Sequence, residues 1–187
     1  MGTIIVTEYV TIDGVMEAPG GGEDFERAGW TFEVARGEDG VRFKLDEALT
    51  AEALLLGRVT YEGFAAAWPT MQGEVADKFN SMPKYVVSTT LREPAWENST
   101  VIAGDVVAEV SKLRAGAEGA VVVHGSARLV RTLLENDLVD ELRLMVFPII
   151  LGAGRRLFTE MDETVRLRLA GTRTVGDGIT VVTYERP

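Results

Sequence analysis

The chain has 187 residues, 46% of them apolar and 26% charged, with a net charge of −10, one histidine and no cysteine. This composition suits a single domain over residues 1–187 and excludes a disordered tail, disulfides, a thiol nucleophile and Cys-based zinc or iron–sulfur centres. The lone histidine also rules out a His-rich metal centre and a zinc deaminase, and leaves a Ser-His-Asp triad only if His124 is its base.

The excess of acid repels nucleic acid, because the basic residues are scattered rather than gathered into a patch. No apolar run approaches the roughly 18 residues that span a bilayer. The start, Met1–Val10, has neither a basic n-region nor a small-residue cleavage site. The expectation is a cytoplasmic protein with no nucleic-acid or membrane partner, acting on a small molecule.

In chain order, apolar runs of four to eight residues alternate with helical patterns, the mark of an α/β fold. Ile4–Thr11 reads as a strand. Residues 17–26 (E-A-P-G-G-G-E-D-F-E) read as a flexible loop, and Phe25–Ala35 as partly helical. A helix is expected over Val41–Thr50, with Asp39 as its cap. Ala53–Leu56 is a buried strand, followed by helices over Thr60–Ala67 and Val75–Met82. Tyr85–Thr89 and Val101–Ile102 are strands. A helix over Val106–Leu113 starts from Asp105. Ala120–Val123 is a strand that leads through Ser126 into a helix over Ala127–Glu135. Leu142–Leu151 reads as a long strand in which Pro148 marks a bulge or an edge. Val165–Thr174 and Ile179–Tyr184 form a closing hairpin around Gly176-Asp177-Gly178. The picture is a mixed, mostly parallel central sheet flanked by helices, with a C-terminal antiparallel hairpin.

Three strand ends carry glycine or hydroxyl residues ahead of a helix or loop: Gly57-Arg58-Val59-Thr60, Ser88-Thr89-Thr90 and Gly125-Ser126. Ligands of open α/β sheets bind outside the carboxyl ends of the strands, and helix N-termini there offer free N–H groups to phosphate. Each turn alone reads equally as an ordinary cap; three on one sheet edge suit a long ligand with several phosphates, such as a dinucleotide. Gly20-Gly21-Gly22 reads as a mobile lid. Gly152-Ala153-Gly154 lacks the third glycine of a dinucleotide fingerprint. His124 is open to two readings, a half-buried imidazole bonded to backbone or a contact to a cofactor. Asp13, in Thr11-Ile12-Asp13-Gly14, is either a turn residue or a carboxylate facing the substrate. Trp30 is a packing residue or a platform for a flat substrate. Arg155 and Arg156 are solvated or meet a substrate phosphate.

Five segments together resemble the reductase domain of the bifunctional riboflavin-biosynthesis deaminase-reductase, which shares the dihydrofolate reductase fold. They are residues 11–16 (T-I-D-G-V-M), 55–62 (L-L-G-R-V-T-Y-E), 84–91 (K-Y-V-V-S-T-T-L), 122–126 (V-V-H-G-S) and the stretch from Leu138 through Gly152. The resemblance implies a dihydrofolate reductase-like fold and an NADPH-dependent reductase of a pyrimidine- or pterin-like compound. Gly57, Arg58 and Thr60 would meet the adenosine phosphates. Ser88 and Thr89 would flank the adenine ribose and its 2′-phosphate. Gly125, Ser126, Ala127 and Leu129 would cradle the pyrophosphate beside His124. The first-strand loop with Met16 would close over the nicotinamide, and Asp13 would orient the substrate or relay a proton near Trp30. The paired glycines of dihydrofolate reductase are Gly125-Ser126 here, and the deaminase half is missing. Dihydrofolate reduction and nucleotide binding without turnover are the competing readings. The family's habit is a homodimer, with Leu142–Leu151 and the final hairpin as candidate interface elements. No metal ligand set is expected.

Overall fold

The structure is a computed structural model that describes residues 1–187. Its strands are β1 (Thr3–Thr11), β2 (Ala51–Gly57), β3 (Lys84–Val87), β4 (Ser99–Ile102), β5 (Ala120–His124), β6 (Glu141–Phe147), β7 (Arg168–Val175) and β8 (Ile179–Glu185). They form one eight-stranded sheet in the order β4-β3-β2-β5-β1-β6-β8-β7. The run from β4 to β6 is parallel, and β8 and β7 close the sheet antiparallel. The helices are α1 (Gly37–Thr50), α2 (Arg58–Ala67), α3 (Glu74–Ser81), α4 (Val106–Gly116) and α5 (Ala127–Glu135). None is long and apolar enough to cross a membrane.

Side-chain alternation sets the layers. Ile4, Val6, Leu55, Val121 and Val123 turn to one face, against Val110 of α4 and Leu129, Val130, Leu133 and Leu134 of α5. Their neighbours Ile5, Leu54, Leu56 and Val122 turn to the other, against Ala48, Tyr61 and Phe79 of α1, α2 and α3. Strands apolar on both faces are what a parallel sheet covered by helices demands. A third cluster joins Trp30 to Phe147, Met145, Val175 and Ile179 under the C-terminal hairpin.

The chain leaves β1 through α1, skips one position to β2, and walks outward through β3 to β4. β5 then returns to fill the gap between β2 and β1. The register leaves a notch at the carboxyl edge. Pairing of β1 with β5 ends at Thr7–His124, whereas pairing with β6 continues to Thr11–Phe147.

Several boundaries differ from the sequence reading. The sixth strand stops at Phe147, because Pro148 has no N–H for the ladder; residues 148–152 instead cross the end of β1, where Ile12 N donates to Ile149 O at 2.9 Å. Helix α1 starts at Gly37, and Asp39 lies inside it. The Asp39 carboxylate accepts from Gly176 N at 3.2 Å, tying the helix to the hairpin turn. Residues 176–178 connect the paired Val175 and Ile179. Gly176 has φ 50°, and a Cβ there would lie 2.1 Å from Ala35 O. Of Phe25–Ala35 only Trp30–Glu33 is helical, as one 3-10 turn. Asp105 caps α4 as expected, accepting from Ala108 N at 3.1 Å.

Candidate functional site

The carboxyl ends of β2, β3, β4 and β5 open into one cleft of about 830 Å³. That volume lies in the range of ligand pockets. All three turns singled out in the sequence line it: Gly57, Arg58 and Thr60; Ser88, Thr89 and Thr90; and Ser126, Ala127 and Leu129. These turns come from distant parts of the chain, and only the strand order brings them to one edge.

Two of the turns are latched to each other. Ser126 Oγ accepts from Gly57 N at 2.8 Å, and Ser126 N donates to Thr60 Oγ1 at 3.1 Å. The approach is tight at Gly57 and close enough at Gly125 to require glycine. A Cβ on Gly57 would lie 3.3 Å from Ser126, and one on Gly125 would lie 2.6 Å from Thr60 Oγ1. Gly125 and Ser126 are both left-handed, with φ 57° and 62°. The latch commits the Thr60 hydroxyl to the turn, leaving the backbone N–H groups that start α5 to face the cleft. No side chain caps that helix. Its first N–H groups therefore have no intrahelical partner, the arrangement that favours an anion.

The third turn is shaped by Ser88. Its Oγ accepts from Thr90 N at 3.1 Å and Leu91 N at 2.9 Å, folding the chain back at the end of β3. The cleft is also less acidic than the protein. Arg58, Arg128, Arg131 and Arg155 line it, against Glu135, Glu160 and Asp162. Arg58 forms a two-pronged pair with Glu62 at 2.9 and 2.8 Å, and both side chains are about half exposed, with relative areas of 44% and 49%. Such a pair is weakly held and can yield to a phosphate. Arg131 reaches Thr159 Oγ1 at 2.7 Å and Glu160 O at 3.0 Å, pinning segment 159–162 over α5.

Residues 2–181 match the model of the RibD C-terminal domain. The chain belongs to that family. Among proteins similar to this RibD C-terminal domain chain is "Uncharacterized protein YyaP" of Bacillus subtilis (strain 168), 28% identical over 97% of this chain and 93% of its own. YwjB of the same organism is 27% identical over 91% and 90%. The fold is shared with a protein assigned to riboflavin biosynthesis in Shewanella sp. PV-4, at TM-score 0.78 and 24% identity over 99% of both chains. It is shared too with a pyrimidine reductase-like protein of Corynebacterium diphtheriae, at TM-score 0.67 and 13% identity over 98% of this chain and 91% of that one. Dihydrofolate reductase of Enterococcus faecalis, in complex with NADP(H), has TM-score 0.60 and 16% identity over 98% of this chain and 96% of that one.

Five expected site residues, His124, Gly125, Met16, Trp30 and Asp13, lie elsewhere than in the cleft lining. His124 turns its ring to the opposite face, between Phe64 and Phe79 at centroid distances of 5.9 and 5.7 Å. Burial pushes its pKa down to about 3, with Lys44 adding to the effect. Aromatic packing holds the ring, and only its carbonyl joins the turn, accepting from Ser126 Oγ at 3.0 Å. Gly125 supports the turn from beneath. Met16 is buried in the same core cluster as Leu129 and Leu157. Trp30 is fully buried, packs edge-on against Phe147 at 5.3 Å and donates from Nε1 to Glu17 O at 2.8 Å. It has no free face to stack on a substrate, so the packing reading holds for Trp30.

Asp13 is a turn residue. Its carboxylate accepts from Thr11 Oγ1 at 2.6 Å, Leu151 N at 3.2 Å and Gly152 N at 2.8 Å. The Thr11 hydrogen bond, ahead of those from the backbone, lowers its pKa to about 2. A carboxylate so engaged is a poor proton relay. The loop it organises reaches the cleft through Arg155. Arg155 N donates to Glu17 Oε2 at 2.7 Å, and its guanidinium pairs with Glu17 Oε1 at 3.1 Å.

A buried charged group on the α1 face was not legible in sequence. Glu47 is only 4% exposed. It accepts from Thr7 Oγ1 at 2.9 Å, from Lys44 and from Arg143 at 3.3 Å. Burial by itself would raise its pKa; Lys44 beside it and the hydrogen bonds from Lys44 and Thr7 bring the carboxyl below its ordinary value. The helical spacing of Lys44 and Glu47 hinted at a pair, but Thr7 and Arg143 arrive from other strands.

Proposed function

We propose that the protein is an NADPH-dependent reductase of riboflavin-biosynthesis type, acting on a pyrimidine- or pterin-like compound. The observation that carries the reading is the convergence of the three strand-end turns on one cleft. The uncapped N-terminus of α5 suits a pyrophosphate, and Arg58 with Ser88 and Thr89 suits a ribose phosphate. The reductases among the structural neighbours, one of them with NADP(H), support the same choice.

When bound, the nicotinamide group supplies the hydride. The protein's share is alignment and exclusion of water. The Gly57–Ser126–Thr60 latch fixes the cleft walls. On the loop side the cleft is lined by Arg155, which is tied to residues 14–17 through Met16 N and Arg155 O at 2.9 Å and through Glu17. The carboxylate of Asp13 is held in its turn by Thr11, Leu151 and Gly152, which leaves a water molecule as the proposed proton donor.

The test is loss of reduced-nicotinamide absorbance with NADPH and a panel of pyrimidine and pterin acceptors. Turnover with a pyrimidine ribose phosphate supports the reading; tight NADPH binding with no turnover across the panel favours a binding protein instead. A homodimer is also proposed. The outer strand β7 is exposed along most of its length, an edge that a second chain would cover. Light scattering at micromolar concentration tests it, and a monomer mass would refute it.

A further inference from the structure

Glu8 carries the only carboxyl oxygen that is buried without a hydrogen-bond partner, Oε1. It is the first residue of β1 beyond the paired Thr7–His124, in the notch where β5 has ended. Its other oxygen, Oε2, accepts from Gly125 N at 2.9 Å. The next N–H along, that of Ser126, is held by Thr60 Oγ1 at 3.1 Å. Side chains from β1 and α2 thus grip two successive N–H groups of a turn whose residues are both left-handed. A non-glycine residue such as Ser126 is strained in that conformation, and the grip must outweigh the strain.

We propose that Glu8 is the positioning residue of the cleft: through the Gly125 N–H, its buried carboxyl fixes the left-handed turn that aims the first N–H groups of α5 at a bound phosphate. The proposal rests on the nucleotide reading above. Burial favours the neutral form of the acid. Burial raises its pKa well above 4.5, opposed by the Gly125 hydrogen bond. The charged groups that act on it are Lys44, which favours ionisation, and Glu47, which opposes it, both hydrogen-bonded to the neighbouring Thr7. Lys44 is itself committed to Glu47 and Thr7. The neutral carbonyl oxygen accepts from Gly125 and the hydroxyl is idle. Ionisation would leave a buried charge with one N–H to balance it.

The test compares Glu8→Gln, which keeps a neutral acceptor of the same shape, with Glu8→Leu, which removes it. Three readouts are taken: the carboxyl ¹³C shift of Glu8 in the nucleotide-free protein, hydrogen exchange of the Gly125 amide, and NADPH affinity from pH 6 to 9. The Glu8 carbon is expected to stay in the protonated range well above pH 4.5. Glu8→Gln is expected to keep Gly125 protected and to bind NADPH within about threefold of wild type, with the alkaline loss of affinity abolished. Glu8→Leu is expected to lose the protection and to weaken NADPH by about tenfold or more. Unchanged Gly125 exchange in Glu8→Leu, or lost exchange protection with unchanged affinity, overturns the proposal. If Glu8→Leu does not fold, Glu8→Gln decides alone: an alkaline loss identical to wild type counts against Glu8. Should wild type bind no nucleotide, the cofactor reading falls, and Gly125 exchange still decides whether Glu8 holds the turn.

Discussion

His124 gives the sharpest prediction about stability, because it is the only histidine in the chain. Half-buried against Phe64 and Phe79, its ring has a pKa lowered by burial from the ordinary 6.5 to about 3. Above pH 6.5 both states hold a neutral ring and the stabilisation is complete. Below it the unfolded chain takes up a proton that the folded chain refuses, so stability falls with pH until the folded ring titrates. At about 1.36 kcal/mol per unit the loss is at most about 4–5 kcal/mol, and at most about 2 kcal/mol of it falls between pH 6.5 and 5. Glu8 works in the opposite sense there: its raised pKa gives stability at acid pH that is lost as pH rises above 4.5. The difference between wild type and His124→Gln isolates the histidine. Urea unfolding at pH 7 and pH 5 is expected to show a steeper acid loss in wild type than in the variant. The imidazole proton resonances, which need no assignment, should stay at their neutral position down to pH 5. A midpoint near 6.5, or equal slopes in the two proteins, would refute the argument.

Gly125→Ala should destabilise the protein by about 2 kcal/mol or more and weaken NADPH, because a Cβ would lie 2.6 Å from Thr60 Oγ1 at a φ of 57°; thermal melting and calorimetry check this. Lys84→Met should cost about 3–5 kcal/mol in urea unfolding, since the fully buried ammonium donates to Asn80 O, Met82 O and Glu97 O at 2.9, 2.7 and 3.0 Å. Arg58→Ala should reduce the preference for NADPH over NADH by about tenfold with little change in melting temperature; an unchanged preference would assign the 2′-phosphate to other residues. Asp13→Asn should lower stability by about 1–3 kcal/mol through the Leu151 and Gly152 amides. The same variant should leave the shape of the pH–rate profile unchanged, and a shifted profile would restore Asp13 as a proton relay.

Much of the fold was legible because its signals are local. Ala53–Leu56 and Ala120–Val123 are apolar at every position, as strands covered on both faces must be. The three cleft turns were legible for the same reason: an apolar run, then glycine or a hydroxyl residue, then a helix or, after Ser88, a loop. What escaped was non-local. Ser126 meets Gly57 across 69 residues and Glu8 meets Gly125 across 117, and no periodicity reports such partners. In sequence Glu8 is simply a polar residue within Thr7-Glu8-Tyr9. Trp30 and His124 have side chains that suit ligand contact and packing equally, and their neighbours decided for packing. Pro148 carried a usable signal for a bulge or an edge: its missing N–H ended the strand at Phe147.

The account stands on the cleft as a dinucleotide site, and calorimetric titration of the wild-type protein with NADPH and NADH tests that most directly. One NADPH per chain with a dissociation constant of about 10 µM or tighter, and at least tenfold weaker NADH, is the predicted result. No heat from either nucleotide at concentrations up to about 1 mM would contradict it.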